Sequence, residues 1–351
     1  MRNKIAPFVA LSLLLAACGS GTKIADETSD PTDTTVPAET TVTTVAASDG
    51  CTAGTVTKPG EDEKVITSSS GVERYYFRHT PTGYLGTSPL PVVVDIHGYS
   101  EGSTVHLMMS KLGALGDTKG FITITPEGTG PVPHWLTAAD SPDMAYIGDL
   151  LDEIEATLCV DRDRVFVTGL SNGAMMTSAI ACVYSDRFAA YAPVAGVQVP
   201  EDCATTKPTP LITFHGTEDG FVGYDGGLGQ DALDLPAPDG SEGDLGEVLP
   251  EDMMKGPTVP EAVAMWAKRN GCSSGVDTAT ESDINAEVTL IEHDCPAGAE
   301  TVLYRINGGG HTWPGSEFSK AIIGVVGFTT MTISANNLMW DFFVGHPRMS
   351  L

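Results

Sequence analysis

Arg164-Val165-Phe166-Val167-Thr168-Gly169-Leu170-Ser171-Asn172-Gly173-Ala174-Met175-Met176 is the stretch that decides the architecture. Its first five residues are β-rich, its last three open an amphipathic pattern that runs on to Tyr184, and Gly-Leu-Ser-Asn-Gly stands between them. A strand that turns straight into a helix leaves no room for side chains at the flanks of the turn, so glycine is needed there, and the serine is presented at the helix N-terminus. G-x-S-x-G alone is a weak signal in a chain with 39 glycines. Its place between a strand and a helix makes it a strong one.

The same alternation extends on both sides. Strands are predicted over Glu73 to His79, Pro91 to Ile96, Phe121 to Thr125, Arg164 to Thr168, Ala189 to Val194, Pro210 to Phe214 and Val302 to Ile306. Helices are predicted over Thr104 to Leu115, Asp143 to Leu158, Asn172 to Tyr184, Pro260 to Lys268 and Ala335 to Phe343. Short apolar strands alternating with helices imply an α/β fold with a mostly parallel central sheet and helices on both faces. In such a sheet ligands gather at the carboxyl ends of the strands.

Those ends carry chemistry. A serine hydroxyl is a poor nucleophile at neutral pH and needs a base, which in turn needs a group to orient it. After Leu211-Ile212-Thr213-Phe214 stands His215-Gly216-Thr217-Glu218-Asp219, which offers Asp219 as the orienting carboxylate and Glu218 as its local rival. After the strand ending at Ile306, Gly308-Gly309-Gly310-His311-Thr312-Trp313-Pro314-Gly315 places an imidazole in a glycine-rich loop. Ser171, Asp219 and His311 follow the chain order of α/β-hydrolase triads. Oxyanion donors are expected at the main-chain N–H of Asn172, next after the nucleophile, and of Tyr99 in His97-Gly98-Tyr99.

The set Ile96-His97-Gly98, Gly169-Leu170-Ser171-Asn172-Gly173, His215-Gly216-Thr217-Glu218-Asp219, Asn270-Gly271-Cys272, Gly309-Gly310-His311-Thr312-Trp313-Pro314-Gly315 and Trp340-Asp341-Phe342-Phe343 resembles the poly(3-hydroxybutyrate) depolymerase-like esterases, a family that also takes in feruloyl and acetyl-xylan esterases. The resemblance runs from about Tyr75 to the C-terminus. It implies the α/β-hydrolase fold, Ser171 as nucleophile, His311 as base and Asp219, rather than Glu218, as the third member. It implies a carboxylesterase on hydroxyalkanoate oligomers or polyesters, or alternatively on feruloyl or acetyl-xylan esters, with neither metal nor organic cofactor. The chain departs from the family in a long acidic, glycine-rich stretch from Asp225 through Asp252, which reads as a lid, a calcium loop or a solvated insertion.

His134, Trp135 and Trp313 are candidates to wall a substrate cleft, against the alternative of ordinary half-buried packing. His97 and His215, in His-Gly pairs beside strand ends, read more simply as buried histidines bonded to the backbone than as proton carriers. Asp143 reads as a helix cap or a partner of the helix dipole.

Composition bounds the rest. The chain has 351 residues and a formal net charge of −27, with 19 basic against 46 acidic side chains, which argues against nucleic-acid or anionic-membrane partners. Arg2 and Lys4 precede an apolar run from Ile5 to Ala17, too short to span a bilayer and right for a secretory signal. It ends in Leu15-Ala16-Ala17-Cys18, which resembles a bacterial lipobox and implies acylation of Cys18 as the first mature residue and the one membrane contact. Residues 1–18 are thus expected to be a lipoprotein signal, residues 19–50 an acidic, Thr-rich disordered tether without an aromatic residue, and residues 51–351 the catalytic domain of an extracellular or envelope-anchored protein. Six further cysteines fit three disulfides in an oxidising compartment, with fifteen possible pairings. Proximity along the chain favours Cys182 with Cys203 and Cys272 with Cys295, leaving Cys51 with Cys159. No spacing suggests a zinc site.

Overall fold

Val165 and Val167 face one side of the central sheet and Phe166 the other, and each side has its own core. The computed structural model describes residues 45–52, 58–200, 203, 205, 207–251, 254–273 and 275–348. The expected signal, Cys18 and most of the tether lie outside the described residues.

The strands are β1 (Gly60–Thr67), β2 (Glu73–Thr80), β3 (Leu90–Ile96), β4 (Ile122–Pro126), β5 (Val160–Leu170), β6 (Ala190–Val194), β7 (Leu211–Gly216), β8 (Thr280–Asn285), β9 (Val288–Glu292) and β10 (Thr301–Ile306). They form one sheet in the order β1-β2-β4-β3-β5-β6-β7-β10-β9-β8. The six strands from β4 to β10 in that order run parallel, and antiparallel pairs flank them at each end. The parallel strands are covered on both faces, which is why they read as continuous apolar runs.

The helices are α1 (Gly102–Ser110), α2 (Leu112–Lys119), α3 (Pro142–Thr157), α4 (Asn172–Val183), α5 (Gln230–Leu233), α6 (Leu245–Val248), α7 (Val259–Arg269), α8 (Glu317–Ala321), α9 (Ile323–Val326) and α10 (Ala335–Gly345). On one face α3, α4 and α7 pack Ile147, Leu151, Ile180 and Trp266 against Val92, Val94 and Val165. On the other, α10 packs Met339, Trp340 and Phe343 against Phe121, Phe166 and Val194. Phe166 and Phe343 stack with ring centroids 4.6 Å apart. This layering, with the serine turn after β5, is the α/β-hydrolase fold.

Three disulfides staple it: Cys51–Cys159, Cys182–Cys203 and Cys272–Cys295, the pairings favoured by proximity. The folded part starts earlier than Cys51. Ser48 is buried, donating its hydroxyl to the Leu158 carbonyl and its N–H to the Val160 carbonyl at 2.9 Å. The expected tether boundary at residue 50 therefore moves back to at least Val45, because the small polar Ser48 fills a slot at the start of β5.

Candidate active site

Ser171 stands at the corner between β5 and α4 with φ 57° and ψ −119°, a conformation that costs a non-glycine residue on the order of 1–3 kcal/mol. The surroundings enforce it. Ser171 N–H donates to the Val194 carbonyl at 2.9 Å, and the Ser171 carbonyl accepts from Met175 N–H at 2.9 Å. A Cβ on Gly169 would lie 2.6 Å from the Gly173 carbonyl oxygen, and one on Gly173 would lie 2.2 Å from that of Ile96. Both glycines of the pentapeptide are therefore demanded by contact, as the turn geometry requires. Ser171 itself is half-buried and reachable.

Two strands away, β7 ends in the loop that carries Asp219, and its parallel neighbour β10 ends in the loop that carries His311. His311 Nδ1 lies 2.8 Å from Asp219 Oδ2. The other carboxylate oxygen accepts the N–H groups of Phe221 and Val222, each at 2.9 Å. Burial would raise the Asp219 pKa, but His311 and the donors to its oxygens outweigh burial and hold the carboxyl below its ordinary value. Glu218 is exposed. Among the described residues His311 and Asp219 are joined directly, whereas Ser171 is brought to the same edge of the sheet without a hydrogen bond to either.

Beyond β3, the main chain of Gly98 passes against the serine: a Cβ on Gly98 would lie 3.4 Å from Ser171 Cβ. The N–H groups of Tyr99 and Asn172, the two expected oxyanion donors, have no acceptor among the described residues. The Asn172 side chain is spent elsewhere, accepting Trp135 N–H at 2.7 Å and donating to the Trp135 carbonyl at 3.1 Å.

The expected cleft wall is partly corrected. Trp135 is only 3% exposed and Trp313 1%, so neither ring faces a substrate. Trp135 Nε1–H donates to the His97 carbonyl at 3.0 Å, and Trp313 Nε1–H to Asn336 Oδ1 at 2.7 Å. Both indoles found internal partners, which is what burial of Trp requires. His134 stays half-buried and lies tilted against Tyr99, ring centroids 5.8 Å apart. Asp143 stands in the first turn of α3, as a dipole partner would, but the cap is Ser141; Asp143 is buried, 2.7 Å from Arg74, and accepts Leu136 N–H at 2.8 Å.

Phe221 escaped the sequence reading, whereas His215 is the buried, backbone-bonded histidine it expected. Phe221, two places after Asp219, stacks on His311 with centroids 4.8 Å apart. His215 lies 3.4 Å from Asp219 Oδ2 and 2.8 Å from the Val222 carbonyl, with burial holding its pKa below the ordinary value. The acidic insertion reaches the rim: Tyr99 hydroxyl donates to the Pro236 carbonyl at 2.7 Å, and Gly229 N–H to the Phe221 carbonyl at 2.8 Å. Among the described residues no three His, Cys, Asp or Glu side chains converge to hold a metal ion.

Residues 147–221 match the prolyl oligopeptidase family, a segment that holds Ser171 and Asp219. Over 277 residues the chain is 27% identical to the putative esterase NocK of Nocardia uniformis subsp. tsuyamanensis, covering 73% of this chain and 74% of that one. It is 27% identical to feruloyl esterase B of Piromyces equi, covering 66% and 41%, and 31% identical to poly(3-hydroxyalkanoate) depolymerase C of Paucimonas lemoignei, covering 43% and 40%. The chain is thus similar to esterases of the depolymerase and feruloyl esterase kind, on an α/β-hydrolase fold. It spans about three quarters of the first of these relatives and about two fifths of the other two. The three disulfides fit such an esterase working in an oxidising compartment.

Proposed function

We propose that this chain is a serine carboxylesterase that uses Ser171 as nucleophile, His311 as general base and acid, and Asp219 to orient the imidazole. The observation that carries the reading is the His311–Asp219 hydrogen bond of 2.8 Å at the strand edge where the serine corner also stands. With Nδ1–H given to Asp219, Nε2 is the nitrogen left to take the Ser171 proton as the hydroxyl attacks an ester carbonyl. The N–H groups of Tyr99 and Asn172 receive the developing oxyanion, and His311 then protonates the departing alcohol. Water repeats the cycle to free the acid. A nucleophile–base hydrogen bond that is open without substrate is common and tightens in the complex.

The substrates we favour are hydroxyalkanoate oligomers and similar aliphatic polyesters. Support comes from the segment after His311. Val326 accepts His311 N–H at 2.7 Å, and around it Ile323 and Val325 are 55% and 66% exposed, an apolar rim suited to an aliphatic chain. A second reading, feruloyl or acetyl-xylan ester hydrolysis, is favoured by the relatives, among them a probable acetylxylan esterase A of Aspergillus flavus at 33% identity. Attachment through an acylated Cys18 belongs to the same proposal and is tested by metabolic labelling with a fatty acid.

The test is turnover of p-nitrophenyl butyrate, hydroxybutyrate trimer, methyl ferulate and acetylated xylan by the intact protein and by Ser171→Ala. The variant loses turnover of every ester while keeping its fold, and the trimer is the best substrate. Residual turnover by the folded variant would refute the nucleophile; a preference for ferulate or acetyl-xylan would replace the polyester reading.

A further inference from the structure

Two consecutive peptide units at the end of β3 have four polar groups between them, and three of the four are gripped. In the first unit, the His97 carbonyl accepts Trp135 Nε1–H at 3.0 Å and Gly98 N–H donates to Glu101 Oε2 at 2.7 Å. In the second, the Gly98 carbonyl lies 2.7 Å from His97 Nδ1. The fourth group is Tyr99 N–H.

The proton on His97 is fixed by its other nitrogen. Nε2 lies 2.8 Å from Gly128 N–H, and a main-chain N–H can only donate, so Nε2 is bare and the hydrogen sits on Nδ1, where it is donated to the Gly98 carbonyl. Burial favours this neutral ring, holding the pKa below its ordinary value. A peptide unit is planar and trans, so its C=O and N–H point opposite ways. Holding the Gly98 oxygen on the His97 side therefore turns Tyr99 N–H to the other side of the unit.

Glu101 is held from behind. Its carboxylate lies 3.1 Å from His106 Nδ1, while His106 Nε2 is 2.7 Å from Asp95 Oδ1 and Ser110 donates to Asp95 Oδ2 at 2.6 Å. His106 and Asp95 are fully buried. Burial opposes charge on His106, but Asp95 and Glu101 outweigh it and push its pKa up to about 10, so a cation is locked between two carboxylates.

We infer that His97 and Glu101 are positioning residues that hold the Gly98–Tyr99 peptide with its N–H aimed at the oxyanion, His97 through its Nδ1–H and Glu101 through the N–H of Gly98. The inference rests on the esterase reading of Ser171 and adds to it how one oxyanion donor is oriented. Both side chains act through the peptide groups they bond.

The experiment separates the two ring nitrogens. Asparagine at position 97 carries its amide near the place of Nδ1 and can still donate to the Gly98 carbonyl; glutamine reaches the place of Nε2 and cannot do both. With p-nitrophenyl butyrate, His97→Gln should lower kcat by about 100-fold with KM within about 3-fold, and His97→Asn should lose less than about 10-fold. Equal losses in the two variants, or a change confined to KM, would overturn the assignment. Because either variant could fold poorly, long-range nitrogen-15 correlation spectra of the intact protein provide an independent reading: His97 must show a protonated Nδ1 and a bare Nε2 at neutral pH, and the opposite pattern overturns the inference. Ser171→Ala in the same assay keeps the two questions apart, since turnover surviving in that variant would refute the underlying reading and not the clamp alone.

Discussion

Asp219 divides its oxygens, one toward two main-chain N–H groups and the other toward His311. An amide at that position could satisfy one role only by spoiling the other, so Asp219→Asn should lower kcat by about 10⁴-fold through the wrong imidazole tautomer. Glu218→Gln, at an exposed neighbour, should change kcat by less than about 3-fold. Steady-state kinetics on p-nitrophenyl butyrate checks both, and a reversed order would move the acid to Glu218. At this scale the sequence is legible where sterics demand a residue type. Gly169 and Gly173 meet carbonyl oxygens that no Cβ could tolerate, so the serine corner can be read directly. Trp135 and Trp313 were not legible, because an indole is equally at home in a cleft or in a core and only the position of an internal acceptor decides between them. The buried array around His106 was hidden for another reason: Asp95, Glu101 and His106 are ordinary surface residue types until the fold closes over them.

Most elements with an apolar signature were predicted closely, β9 with its Val288, Leu290 and Ile291 being an exception, and the edge strands without one were missed. β1 alternates half-buried and exposed positions and β8 is almost wholly exposed, so at the antiparallel edges of the sheet hydrogen bonding decides the structure and hydrophobicity leaves little trace. The single helix expected over Thr104 to Leu115 is two, because Lys111 turns to φ 51° between α1 and α2. The insertion beyond Asp225 is built on α5, α6 and the isolated Pro236–Asp244 bridge, with Ala237 and Leu245 as its buried anchors. Helix α9 is where the proposed polyester reading can be tested. Its residues Ile323 and Val325 project into solvent while its Val326 carbonyl fastens His311, so their side chains can be changed without touching the fold. Val325→Asp should raise KM for hydroxybutyrate trimer by about 5-fold or more, through loss of apolar contact, and leave thermal stability within about 0.5 kcal/mol. An unchanged KM for the trimer would remove the rim from the substrate path.

Across the whole molecule, stability rests on two cores separated by the sheet and on cross-links between distant parts of the chain. The Cys51–Cys159 bridge spans 108 residues and closes the largest loop of the three. By loop-closure entropy it contributes about 4–5 kcal/mol, so the double variant Cys51→Ala, Cys159→Ala should lose on that order in urea unfolding. A loss below about 1 kcal/mol would mean that the unfolded chain is already compact there. The same bridge has a directional consequence. It pins the start of the folded chain to the first residues of β5, whereas Ser171 follows the last, and eleven residues of strand separate the two poles by roughly 35 Å. The described chain therefore begins at the pole remote from the Ser171 corner, so in the proposed reading an anchor upstream would leave that corner facing away from its point of attachment.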